Sequence, residues 1–181
     1  TCNTNGNCQL TFASSGLVVT SINNGESCQT ASLTIQALED NGSNTCAPAW
    51  VGDKAVNLGF NYSSPNSNSA NSQLNMTDKN TNYDVSANSS QQLTLTFDSS
   101  AIATTNLNYA DAGLLSLTAS DPSGVLLSGA GTALFSPNKL VLSSAEDGVT
   151  FNNITTNVIA ASDFSLKISA QCAGGTVTQN Y

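Results

Sequence analysis

Short runs in which apolar and polar residues strictly alternate are the feature that most constrains this chain. Such a run predicts a β-strand with one buried face, because successive side chains of a strand point to opposite sides of its sheet. Turn-forming pairs such as Asn24-Gly25 and Asn41-Gly42 separate the runs. The apolar positions of the runs are Leu33, Ile35 and Ala37; Val56, Leu58 and Phe60; Leu93, Leu95 and Phe97; Leu115, Leu117 and Ala119; and Phe164, Leu166, Ile168 and Ala170. The pattern predicts an all-β chain built as an antiparallel sandwich.

Charge is scarce and mostly negative. The 181 residues include 12 Asp or Glu, 4 Lys, no Arg and no His, for a formal net charge of −8. This balance argues against binding to nucleic acid, whose phosphates attract basic surfaces. Without His, neither a Ser-His-Asp nor a Cys-His catalytic arrangement can form, and we expect no enzymatic activity.

Asn, Ser and Thr supply 69 of the residues, so the surface must be rich in amides and hydroxyls. Surfaces of this kind are typical of proteins that work outside the cell. The sequence contains no apolar run near the ~18 residues that a membrane-spanning helix needs. We therefore expect an exported, extracellular or cell-surface protein with no membrane insertion.

Five cysteines, Cys2, Cys8, Cys28, Cys46 and Cys172, agree with an oxidising compartment. Their spacing favours disulfides over a zinc site of four thiolates. Two bridges among five cysteines can be drawn in several ways. We predict Cys2–Cys8 across the Asn5-Gly6 turn and Cys28–Cys46 across a strand and its loop, with Cys172 unpaired or bonded to a partner outside the chain.

An internal repeat divides the chain. Leu33-Thr34-Ile35-Gln36-Ala37 is similar to Leu166-Lys167-Ile168-Ser169-Ala170, and upstream Leu10-Thr11-Phe12 is similar to Leu140-Val141-Leu142. We therefore predict one sandwich over residues 1–134, followed over 135–181 by the first strands of a second, incomplete one.

Residues 61–92 form a long Asn/Ser-rich insertion whose aliphatic anchors are Leu74, Met76 and Val85. This segment is either a long loop at one end of the sandwich or a set of edge strands with both faces exposed to solvent. It is the first place to look for a binding surface.

Three segments resemble a known family. The run from Leu107 to Ala119, with Tyr109, Asp111 and Gly113, resembles the Y-x-D-x-G segment of bacterial Ig-like surface repeats. The segments 131–137 and 174–181 are similar to the G-x-x-x-F-x-P and G-G-x-x-T-x-N-Y motifs of MshQ-like proteins, which are associated with mannose-sensitive haemagglutinin type IV pili. The resemblance implies tandem Ig-like β-sandwiches in a non-enzymatic, pilus- or surface-associated protein, and it transfers no catalytic residue.

Two kinds of ligand site are candidates. The oxygen-rich run of Glu39, Asp40, Asn41 and Asn44 suits calcium, to which Asp53, Asp111 and Asp121 can contribute; no other cofactor is expected. The aromatic residues Trp50, Tyr62 and Tyr83 lie near the polar insertion and can contact a sugar. Turn formation explains the first group equally well, and core packing explains Trp50.

The composition and the resemblance together predict an adhesin-like stalk or binding-surface module. Its expected partners are other repeats or copies of the same protein, a surface glycan, a host or abiotic surface, or a type IV pilus. Two alternatives stay open: a fibre subunit completed by strand exchange with a neighbouring copy, and a carbohydrate-binding module.

Overall fold

The computed structural model describes residues 15–41, 45–67, 71–144 and 166–180. Across this described part of the chain the regular elements are strands, and no helix has the length and hydrophobicity that crossing a bilayer requires. The strands are β1 (Ser15–Val19), β2 (Ile22–Glu26), β3 (Thr30–Asp40), β4 (Cys46–Pro48), β5 (Gly52–Ser64), β6 (Leu74–Asp78), β7 (Thr81–Val85), β8 (Ser89–Phe97), β9 (Ile102–Tyr109), β10 (Gly113–Ser120), β11 (Gly129–Ser136), β12 (Lys139–Ser144) and β13 (Leu166–Gln171).

The strands β1 to β11 form two sheets that pack face to face. The first sheet has the order β1-β3-β9-β6-β7, with β4 paired to β3, and the second has the order β2-β11-β10-β5-β8. The pairs are antiparallel except for β2 and β11, which are parallel. The predicted all-β sandwich is confirmed.

The chain passes from one sheet to the other between β1 and β2. β1 pairs with β3 in the first sheet, whereas β2 pairs with β11 in the second. β1 also donates a backbone hydrogen bond from Leu17 to Leu127, at 2.9 Å, which draws the two sheets together. Gly129 permits this approach, because a Cβ atom there would collide with the Leu17 carbonyl oxygen.

The core contains the apolar positions that the alternation singled out in the first four runs. These residues are Leu33, Ile35, Ala37, Val56, Leu58, Phe60, Leu93, Leu95, Phe97, Leu115, Leu117 and Ala119, and all are buried. Tyr109 is fully buried as well and packs against Phe135 at 5.6 Å between ring centroids. The burial of apolar side-chain surface away from water is the main favourable contribution to the free energy of folding.

The polar insertion is a β-hairpin for much of its described length. β6 and β7 pair with each other, and β6 pairs with β9, so the hairpin extends the first sheet. Its three aliphatic anchors, Leu74, Met76 and Val85, are buried in the core. The ends of the insertion continue β5 and form the start of β8. The insertion therefore forms strands, but the expectation that both of their faces contact solvent is wrong, because one face of each strand packs on the core.

The last two strands, β12 and β13, pair only with each other among the described strands. Ala170 is buried, but three larger aliphatic residues are exposed: Ile168 at 65%, Leu140 at 59% and Leu142 at 48%. The expectation that Ile168 lies on a buried face is therefore wrong within the described chain. The alternation is present, but this hairpin has no opposing sheet to cover its apolar side chains there.

Candidate functional site

The sandwich and the β12–β13 hairpin are joined covalently. Cys28, in the turn between β2 and β3, forms a disulfide with Cys172, which directly follows β13; the Cα atoms are 5.4 Å apart and 144 residues separate the two cysteines. The predicted Cys28–Cys46 pair and the unpaired Cys172 are therefore wrong. Cys46 pairs with Asp40 at the far end of β3 and is an exposed free thiol.

The geometry of β3 explains why clustering in sequence misleads here. Ten residue steps of extended strand between Thr30 and Asp40 span about 33 Å. Disulfide bonding requires Cα atoms within about 7 Å, so Cys46 cannot reach Cys28. The proposed Cys2–Cys8 bridge lies outside the described residues, as do Leu10-Thr11-Phe12, and that pairing stays a prediction.

A buried carboxylate reinforces this connection between the sandwich and the β12–β13 strands. Asp111 is 2% exposed, and its Oδ1 accepts backbone N–H bonds from Ala112 at 2.8 Å, Gln179 at 2.8 Å and Asn180 at 3.2 Å. Its Oδ2 accepts a bond from the Ser72 hydroxyl at 3.1 Å. The carboxylate therefore connects the sandwich to the segment after β13, and hydrogen bonds to an ionised acceptor are the stronger kind.

Ser27 supplies a second set of hydrogen bonds next to the disulfide. Its buried hydroxyl donates to the carbonyl oxygens of Asp111 at 2.8 Å and Ser136 at 3.0 Å. Its own carbonyl accepts from the N–H of Ala173 at 3.2 Å, on the far side of the disulfide. The Asn138 side chain also donates to the Glu26 carboxylate. The disulfide and these bonds hold the hairpin against one end of the sandwich; we call this set of contacts the joint.

The calcium candidates do not converge in the described structure. Glu39 and Asp40 are consecutive residues of β3 and so point to opposite faces. Asn41 donates through its side chain to the Thr45 hydroxyl at 2.6 Å, and Asn44 lies outside the described residues. Among the residues described, no three His, Cys, Asp or Glu side chains cluster as a metal site requires. Calcium binding stays a prediction.

The three acidic residues named beside them each have their own role. Asp111 belongs to the joint. Asp53 forms an ion pair with Lys79 at 2.8 Å, and the hydrogen bonds from Lys79 and Thr96 lower the pKa of Asp53. Burial by itself raises the pKa of Asp121, but the hydrogen bonds from Ser123, Leu126 and Val125 together outweigh it, so the net pKa is lowered. Asp121 thus closes the loop between β10 and β11.

The aromatic candidates lie apart and serve packing. Trp50 packs edge-on against Phe97, with ring centroids 5.2 Å apart, at the start of β5. Tyr62 lies near the other end of that strand, where its hydroxyl donates to the Ser72 carbonyl at 2.8 Å; burial, followed by the nearby Asp111 charge, raises the pKa of the Tyr62 hydroxyl. Tyr83, on β7, packs against the core.

The outward face of the first sheet carries a polar cleft of about 440 Å³. Its lining comes mostly from β3, β9, β6 and β7. The lining side chains are mostly amides and hydroxyls, including Asn75 and Asn108, with the carboxylate of Asp84 beside them. Trp50, Tyr62 and Tyr83 are not among the described residues that line this cleft, and their part in ligand binding stays a prediction. The sequence signal for the cleft was the polar half of the alternation: with Leu74 and Met76 buried, Asn75 must face out.

Comparison with known proteins decides the family. Residues 1–130 match the domain of unknown function DUF6701, first Ig-like domain. The chain belongs to this family. The match confirms the Ig-like character that the resemblance of the Tyr109–Gly113 segment implied.

A solved structure is also similar to the chain. It is the CARDB domain of the PF1109 protein from Pyrococcus furiosus, solved in complex with di-metal ions; it shares 12% identity over 71% of this chain and 94% of that chain, with a TM-score of 0.32. No curated protein matches the chain.

Proposed function

We propose that the chain is a non-enzymatic segment of an exported bacterial surface protein and acts as a stalk that spaces and presents adhesive surfaces. The observation that carries this proposal is the joint. In a stalk of successive sandwiches, the contacts between one unit and the next set the length and the stiffness of the whole. A disulfide together with a buried carboxylate at such a position suits that role, and the disulfide also favours an oxidising compartment outside the cytoplasm.

The proposal treats residues 135–181 as the opening of a second Ig-like unit. The support is the register of two antiparallel strand pairs, β1 with β3 and β12 with β13. In each pair a Leu lies opposite an Ala, and two residues further on two aliphatic residues lie opposite each other. The pairs are Leu17–Ala37 and Val19–Ile35 in the sandwich, and Leu140–Ala170 and Leu142–Ile168 in the hairpin. Under this proposal the counterpart of Leu140-Val141-Leu142 is Leu17-Val18-Val19, in place of the Leu10-Thr11-Phe12 expected from the sequence.

Association with a type IV pilus is the finer part of the proposal and rests on the resemblance to MshQ-like proteins. Antibodies raised against the chain should label intact bacteria that produce the parent protein, and should label pili sheared from them. Labelling that requires permeabilised cells would contradict export. Labelling of the cell body alone, with bare pili, would contradict the pilus association and leave the stalk role standing.

The stalk role is tested by small-angle X-ray scattering of the chain. We expect the double variant Cys28→Ser/Cys172→Ser, combined with Asp111→Ala, to have a larger radius of gyration than the unaltered chain, because the hairpin is released from the sandwich. The matched control is Cys46→Ser, which removes the exposed thiol and should leave the scattering curve unchanged. Identical curves for all three proteins would show that the joint does not fix the arrangement.

The fibre alternative has an observation of its own. Leu140, Leu142 and Ile168 share one exposed apolar face of β12–β13, and a strand pair with open edges can accept a strand from a second copy. Sedimentation over a wide range of protein concentrations separates the two proposals. The stalk proposal expects one species throughout. Polymers that grow with concentration, and that disappear with Leu142→Asp, would favour the fibre.

A further inference from the structure

Four strands of the first sheet place polar side chains in one transverse row. Thr30 pairs with Asn108 between β3 and β9, Asn108 pairs with Asn75 between β9 and β6, and Asn75 pairs with Asp84 between β6 and β7. Their neighbours Leu74, Met76 and Leu107 are buried, so these four side chains face outward. We call them the amide row. With strands about 4.8 Å apart, the row spans about 14 Å.

A second set of polar side chains lies beside the amide row, two residues further along the strands. Ser32 pairs with Asn106, and Thr77 pairs with Asn82. The Thr77 hydroxyl donates to the side-chain Oδ1 of Asn82 at 2.9 Å, and within the amide row the Asn75 side-chain amide donates to the Asp84 carboxylate at the same distance. These bonds orient the side chains on a rigid sheet and reduce the entropy that a ligand must remove on binding.

The chemistry of these side chains favours hydroxyl groups. A carboxamide has two N–H donors and an acceptor oxygen, so the single bond from Asn75 to Asp84 uses only one of its donors. A sugar hydroxyl also donates and accepts, and vicinal hydroxyls match the paired functions of an amide. Among the described residues that line the cleft, Asp84 is the one carboxylate, and the other polar side chains are neutral amides and hydroxyls. This charge pattern suits a neutral ligand better than an anionic one.

We propose that the amide row is a binding site for a neutral, polyhydroxylated ligand, namely an oligosaccharide chain lying across β3, β9, β6 and β7. The contacts are hydrogen bonds from side-chain amides, not stacking on aromatic rings, since Tyr83 faces the core. A row about 14 Å long contacts several sugar rings at once. This proposal is independent of the stalk role: the surface can bind glycan whether or not the parent protein is a stalk.

The direct test is a titration of the ¹⁵N-labelled chain with short neutral oligosaccharides of glucose, mannose, galactose and N-acetylglucosamine, followed by NMR. We expect saturable shifts of the side-chain amide signals of Asn75 and Asn108 with at least one of these probes. The variant Asn75→Ala/Asn108→Ala should weaken binding by about tenfold or more. Asn106→Asp, at an exposed position, should weaken it as well and provides a second variant if the double change harms folding.

The second sheet provides a matched control. Asn57 and Gln92 are a cross-strand amide pair that faces outward from β5 and β8, and Asn57→Ala/Gln92→Ala should bind as the unaltered chain does. Addition of EDTA should not change the affinity, because the contacts are direct hydrogen bonds. The proposal is overturned if none of the probes shifts the amide row signals, if the control variant loses binding instead, or if EDTA abolishes it. Cell-surface labelling would be unaffected by any of these outcomes.

Discussion

The β6–β7 and β12–β13 strand pairs each carry aliphatic side chains on one face, but these two faces occupy opposite environments. Leu74 and Met76 of the first are buried in the sandwich core, and its polar side chains face outward as the amide row. Leu140, Leu142 and Ile168 of the second are exposed. The first hairpin hydrogen-bonds to β9 and gains an opposing sheet, whereas the second is held to the sandwich by the joint.

This difference shows that alternation alone does not decide burial. A period of two assigns each residue to one of two faces, but whether a face is covered depends on which elements lie opposite it. For β6–β7 the cover is the second sheet, so hydrophobic contact holds the hairpin in place. For β12–β13 a covalent bond and a buried carboxylate perform that task.

The largest effect is expected from removal of the disulfide. Cys28→Ser/Cys172→Ser should lower the free energy of opening of β12–β13 by about 4 kcal/mol, because with the sandwich folded the bridge still closes a loop of about 36 residues between Ser136 and Cys172. The opening of β6–β7 should be unaffected. Hydrogen exchange measured by mass spectrometry separates the two hairpins. Equal loss of protection in both would mean that the joint supports the sandwich as a whole.

A Leu→Ala change should affect the two hairpins unequally. Leu74→Ala leaves a cavity in the core and should cost about 3 kcal/mol. Leu140→Ala, at a residue that is 59% exposed, should cost no more than about 0.5 kcal/mol. The measurement is hydrogen exchange of each hairpin, with urea unfolding followed by the fluorescence of Trp50. Similar costs at the two positions would show that the apolar face of β12–β13 is covered after all.

Asp111 should matter through its acceptor oxygens. Asp111→Ala leaves the N–H groups of Ala112, Gln179 and Asn180 without this acceptor and should cost about 2 kcal/mol. Asp111→Asn retains one carbonyl oxygen as an acceptor and should cost roughly half as much. Exchange rates of the Gln179 and Asn180 amides report the loss at the joint. If the Asn variant is as damaging as the Ala variant, the charge and not the geometry is decisive.

The smallest effect concerns the turn of the β6–β7 hairpin. Lys79 pairs with Asp53 on β5, and this pairing lowers the pKa of Asp53 and raises that of Lys79. Because the folded pKa of Asp53 is depressed, its contribution is present above the unfolded value of about 3.9 and is lost as the pH falls through the folded value. Lys79→Gln should lower the urea midpoint less than Leu74→Ala does. The difference in urea midpoint between Lys79→Gln and the unaltered chain should vanish in high salt, since the Lys79–Asp53 pair is exposed.

Much of the sandwich could be predicted from local pattern. The alternation identified the buried residues of β3, β5, β8 and β10, and it identified Leu74, Met76 and Val85 as the anchors of the insertion. The composition indicated a surface of amides and hydroxyls. These predictions succeed because strand geometry fixes the face of each residue within a few positions of sequence.

The joint could not be predicted in the same way. Cys28 and Cys172 are 144 residues apart, and Cys28 has closer neighbours in sequence with which it does not pair. The sequence suggests Asp111 as an oxygen ligand for calcium, whereas its role at the joint depends on Gln179 and Asn180, which lie beside it in space. The amide row is equally non-local, because it takes one residue from each of four strands.

The order of residues along the chain is enough to predict an all-β protein, the residues of each strand that share a face, and a surface rich in amides and hydroxyls. Which faces are covered, which cysteines bond and which polar side chains form the amide row depend on how the strands assemble. The physical reason is range: side-chain alternation is set by neighbouring residues, whereas burial, disulfide bonding and cross-strand register depend on distances between segments that are remote along the chain.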